Sequence, residues 1–113
     1  MNSMSTSFLL LSLGSLIFLI TALPLAFGKV KPNRFYGVRI KLTFSNKQQW
    51  YRINKIYGWA MTFSVIAFFS VTHLMNTWQD AQYEVLNLIL FVAQVMVPTL
   101  VVVFFVYRSG KEK

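Results

Sequence analysis

The sequence predicts an all-α integral membrane protein of three transmembrane helices, and three observations predict it. Of its 113 residues, 56% are hydrophobic and only 12% are charged. Three runs, residues 8–27, 56–75 and 86–107, contain no Lys, Arg, Asp or Glu, and each approaches the ~20 residues that cross ~30 Å of hydrocarbon. All eleven basic residues fall in two places, which gives the crossings a direction. A water-soluble chain of this length could hide one such run but hardly three, because too little polar surface would remain to cover them.

The first run could be taken for a secretory leader, but such leaders open on a basic stretch and residues 1–7 have no Lys or Arg. We therefore read residues 8–27 as a permanent helix. Pro24 and Gly28 place its end between them, or a bend there. Residues 28–55 carry Lys29, Lys31, Arg34, Arg39, Lys41, Lys47, Arg52 and Lys55, and the tail 108–113 carries Arg108, Lys111 and Lys113. The connection 76–85 has no basic residue and carries Asp80 and Glu84 instead. With three crossings the loop and the tail share a side, so the positive-inside rule puts both in the cytoplasm and the amino terminus outside. Moving eight basic residues through the bilayer would cost about 2.5 to 3.5 kcal/mol for each at its centre.

The loop after the first helix is dense in turn formers, yet Val30, Phe35, Tyr36, Val38 and Ile40 make it too apolar for a free linker. It should be ordered, dipping into the interface or packing on the bundle. Ser45 and Gln48 fit a capping box, which starts the second helix at Ser45. Nothing breaks the chain before Asn76 except Gly58, so this helix should exceed the bilayer core, its first turns projecting into the cytoplasmic interface with Trp50, Tyr51 and Tyr57 in the aromatic belt. In the third helix, Pro98 leaves the carbonyl of Gln94 without its usual donor and predicts a kink.

The net charge of +8 is what topology alone would place beside a cytoplasmic leaflet, where each basic residue adds about 1 kcal/mol of attraction to anionic lipid headgroups. Nucleic acid is not expected as a partner. Neither is catalysis: one His, three acids and no Cys supply no set of acid, base and nucleophile. No cofactor is implied. His73, Asp80 and Glu84 match no standard metal spacing, and they read as an interface histidine with two solvated carboxylates.

Two clusters stand out. Trp50, Asn54 and Gly58 are four apart, so on a helix they share one face that Thr62 extends. The loop could fold back on that face, with Gly58 admitting its backbone, Asn54 satisfying its amides and Trp50 closing it at the interface. Arg34 and Arg39 would then offer guanidinium forks to anionic lipid or to an acidic ligand. These residues either hold the loop in shape or contact a ligand; spacing alone does not decide. In the third helix Asn87 and Gln94 are seven apart and, with Pro98, form a polar seam that suits interhelical hydrogen bonds or a substrate path.

The pattern Asn33-Arg34-x-Tyr36-Gly37-x-Arg39, then Thr43, Trp50, Asn54 and Gly58, resembles the SdpI family of small bacterial membrane proteins over about residues 20–107. That family includes the immunity protein against a secreted toxic peptide of the cannibalism system in spore-forming bacteria. The resemblance implies a multi-pass protein of the bacterial cytoplasmic membrane, a toxic peptide and a cytoplasmic regulator as partners, and those nine residues as the family motif. The chain departs from the motif at Ile40, where a Thr commonly follows the second Arg. A second class of function is a small homo-oligomeric transport or channel component built on the Asn87, Gln94 and Pro98 seam, and a third is an accessory subunit that braces another membrane protein.

Overall fold

The computed structural model describes residues 6–33, 36–77 and 81–111. Four α-helices follow one another: α1 (Thr6–Ala26), α2 (Lys41–Ser45), α3 (Lys47–Leu74) and α4 (Glu84–Lys111), with one 3-10 turn at Ala81–Tyr83 before α4. Three of them, α1, α3 and α4 as far as Arg108, are long and apolar enough to cross a membrane. α3 lies between the other two along its length, while α1 and α4 meet each other over a shorter stretch.

The helix ends follow from local chemistry. α1 stops in a Schellman turn: Lys29 N–H donates to the Pro24 carbonyl and Gly28 N–H to that of Leu25, with Gly28 at φ 70°. α3 stops the same way, Thr77 donating to Thr72 and Asn76 to His73, with Asn76 at φ 57°. The start of α3 differs from the expectation at Ser45. Asn46 is the cap, its side-chain oxygen accepting from Gln49 N–H at 2.8 Å. Ser45 belongs to α2 and donates to the Leu42 carbonyl. Both residues are good caps, and Thr43 decides between them by closing residues 40–45 into a separate turn: its hydroxyl accepts from Ile40 N–H and donates to the Ile40 carbonyl, both at 2.9 Å.

The polarity of the bundle is inverted relative to a water-soluble one. Leu10, Ile17 and Ile20 of α1 are 60–67% exposed, and Val85, Leu88 and Val103 of α4 face outward as well. The interior holds Ser12, Ser15, Asn54, Thr62, Thr72, Asn87 and Gln94 beside its apolar residues. Lipid as solvent accounts for this arrangement: apolar side chains gain nothing by leaving lipid, whereas polar ones need partners that only other helices provide. Packing is tightest where α1 crosses α3. A Cβ on Gly58 would lie 2.7 Å from the Ala22 carbonyl oxygen and 2.8 Å from Ala26 Cα, so the two backbones touch. Ala22, Met61 and Val65 form the core beside that crossing, and Phe8, Phe18, Phe68 and Phe91 fill the centre with ring contacts of 5.9–6.1 Å.

Candidate functional site

The loop does fold back onto α3, as the stripe of Trp50 and Asn54 predicts. Trp50 is fully buried and its indole N–H donates to the Val30 carbonyl at 2.8 Å, which ties down the start of the loop. It therefore sits beneath the loop, against Phe44 at 5.7 Å, and not in an exposed aromatic belt. One turn later, Asn54 accepts from Val38 N–H at 2.5 Å and donates to the Val38 carbonyl at 3.4 Å and to its own helix at Trp50, 3.0 Å away. One buried carboxamide thus satisfies both polar groups of a loop residue, as an adjoining strand would.

Gly37 is the counterpart of Asn54. It sits at φ 103°, and a Cβ there would come within 2.8 Å of Asn54 Oδ1, so strain and close approach both require glycine. Gly58 has a different role from the one expected: it admits the backbone of α1, not that of the loop. Asn33 shapes the loop from within, accepting from Tyr36 N–H at 2.8 Å and donating to the Lys31 carbonyl at 2.7 Å. Thr43, buried, closes the turn into α2. Arg39 is exposed, and Arg34 lies outside the described residues. Of the nine motif positions, Asn33, Gly37, Thr43, Trp50, Asn54 and Gly58 are therefore occupied with holding the cap and bundle together.

Tyr36 departs from that pattern. Its hydroxyl is shielded from solvent and has no hydrogen-bond partner among the described residues. Burial first, and then the nearby Tyr57 hydroxyl, raise its pKa above the usual tyrosine value, so it remains a neutral donor. It lines a cavity of about 800 Å³ between α1 and α4, a feature without any signal in residue spacing.

The seam on α4 faces the interior. Gln94, 3% exposed, donates from Nε2 to Ser15 Oγ at 3.0 Å, and Ser15 in turn donates to the Leu11 carbonyl at 2.9 Å. The Gln94 carbonyl, left without a helix donor by Pro98, accepts from Ser64 Oγ at 2.7 Å. α4 runs through Pro98 as one continuous helix. Asn87 donates to the Thr77 carbonyl at 3.0 Å and so pins the connection after α3. Ser12 Oγ, Asn87 Oδ1 and Gln94 Oε1 have no hydrogen-bond partner among the described residues.

At the opposite end, Ser7 donates to Glu84 Oε1 at 2.9 Å, and His73 Nδ1 lies 2.8 Å from the Phe69 carbonyl oxygen. Asp80 lies outside the described residues. Among those described, no three potential metal ligands group together.

Comparison with curated proteins and with solved structures returned no match. A family model, described as the SdpI/YfhL protein family, matches residues 29–107, the span that contains the cap, α3 and most of α4. With the inverted bundle and the motif both in place, this chain is a multi-pass membrane protein that belongs to the SdpI/YfhL protein family.

Proposed function

We propose that this chain is a membrane immunity or sensing protein that protects a bacterial cytoplasmic membrane against a membrane-active toxic peptide, with its loop and carboxyl terminus in the cytoplasm. The observation that supports it most is the coincidence of the family match with a built feature. The described motif residues of the loop are held on α3 through Trp50 and Asn54, and Arg39 is exposed. A basic cap tied to a helix at two points suits recognition of a peptide or of a cytoplasmic regulator, because such ties reduce the ordering entropy lost on contact.

The test is protection. Expressed in a sensitive bacterium challenged with the secreted cannibalism peptide, the chain should raise survival. Arg39→Ala should abolish that gain while the protein stays in the membrane at its normal level. Equal killing with and without the chain would count against immunity, and full protection by Arg39→Ala would remove the cap's outer face from the mechanism.

The interior seam supports a second reading, a small oligomeric transport component, because three buried oxygens there have no hydrogen-bond partner among the described residues. A defined homo-oligomer with solute flux in liposomes would favour it.

A further inference from the structure

α1 and α4 touch where Gly14 and Phe18 face Phe91 and where Ser15 meets Gln94. Towards the loop end they part and leave the cavity of about 800 Å³, within the ~300–1,000 Å³ usual for ligand sites. Its walls run from Phe18 to Leu25 on α1 and from Thr99 to Tyr107 on α4, which at ~1.5 Å per residue is roughly 10–12 Å along the helices. Tyr36, Gly37 and Val38 of the cap close the top, and Tyr57 lines it from α3.

Three observations identify what fits there. First, the helices that flank the opening expose Ile17, Ile20, Leu100 and Val103, so an occupant enters sideways from lipid and not from water. Second, the lining is apolar apart from a few hydroxyls, and those of Thr21 and Thr99 are already donated to Phe18 and Val95 of their own helices. A peptide would bring an N–H and a C=O with every residue and find almost nothing to pair them, whereas an acyl chain brings none. The hydroxyl of the lining residue Tyr36 is shielded and has no acceptor among the described residues, so it is a donor still to be satisfied. Third, Arg39 lies in the chain between the lining residues Val38 and Ile40, Arg108 follows the lining residue Tyr107, and both arginines are exposed. Among the described residues the loop end has no Asp or Glu, since Glu84 sits at the far end of the bundle.

We infer that this groove binds one anionic diacyl phospholipid, with an acyl chain between α1 and α4, an ester carbonyl accepting from the Tyr36 hydroxyl, and the phosphate-bearing headgroup at Arg39 and Arg108. The lipid completes the bundle where α1 and α4 do not reach each other, and its phosphate offsets the charge of Arg39 and Arg108. This inference does not rest on the immunity reading.

Native mass spectrometry of the full chain, released from nanodiscs of equal phosphatidylglycerol and phosphatidylcholine, tests it. One phosphatidylglycerol per chain should be retained, at least ten-fold over phosphatidylcholine. Tyr36→Phe keeps the ring and should lower retention several-fold, Arg108→Gln should erase the headgroup preference, and Val106→Trp, which fills the groove, should abolish retention. Equal retention of both lipids would overturn the inference. So would unchanged phosphatidylglycerol binding in Tyr36→Phe and Val106→Trp, since the lipid would then be held by surface charge elsewhere. Tyr36→Phe is close enough in shape to fold if Val106→Trp does not. No toxic peptide enters the measurement, so failure here and failure of the immunity reading are separable.

Discussion

Among the described residues, Asn54 is the side chain of α3 that holds the second half of the cap. It is buried, it bonds both polar groups of Val38, and no other side chain of α3 in the described structure does the same for the second half of the loop. Asn54→Ala leaves those groups unpaired at a cost of about 1–3 kcal/mol. Hydrogen exchange at the Val38 amide should accelerate accordingly; unchanged exchange would show that the cap is held by other means. Gly58 and Gly14 make a contrasting pair. Gly58→Ala drives a methyl group into the backbone of α1 and should cost about 1–3 kcal/mol in a denaturant titration of the protein in mixed micelles. Gly14→Ala meets only the Phe91 ring edge at 3.4 Å and should be close to neutral in the same assay. Sequence spacing identified Gly58 as a point of close backbone approach but assigned it to the loop. Which backbone arrives depends on the α1–α3 crossing, which no local pattern encodes.

At the scale of elements, Pro98 and Ser64 form a matched set. Proline withholds the donor that the Gln94 carbonyl needs, and a hydroxyl thirty residues earlier on the neighbouring helix replaces it. Ser64→Ala should destabilise the bundle by about 0.6–2 kcal/mol. In a Pro98→Ala background α4 supplies its own N–H, so the same Ser64→Ala change should cost almost nothing. A penalty that persists in the double variant would mean that Ser64 acts by packing alone. The sequence foretold the orphaned carbonyl, because that follows from proline anywhere in a helix. It could not foretell Ser64, since the pairing requires the register of α3 against α4. The start of α3 failed for a related reason: Ser45 and Asn46 are both competent caps, and the choice falls to Thr43 closing its own turn a few residues earlier. The end of α1 was legible because Gly28 is its own signal.

For the whole molecule, hydropathy fixed the three long helices, since a run of about twenty apolar residues has one economical solution in lipid. Orientation rests on charge asymmetry, and the lack of any cysteine in the sequence makes it easy to test. An impermeant maleimide on intact cells should label Met75→Cys but reach Lys41→Cys only after permeabilisation; the reverse pattern would sink the positive-inside argument. The groove between α1 and α4 was not legible, because a gap is a property of two surfaces and leaves no trace in either strand of sequence. The bond between Ser15 and Gln94 also has a consequence in time. Seventy-nine residues separate the two, which at about 5–20 residues per second is roughly 4–16 s of translation. Throughout that interval α1 must rest in lipid before its partner exists. It can, because the Ser15 hydroxyl donates to the Leu11 carbonyl of its own helix and waits with a lone pair to spare. Gln94, whose amide needs that lone pair, is made only once the acceptor is already in the membrane, so at this contact the order of synthesis spares both α1 and α4 an unpaired donor.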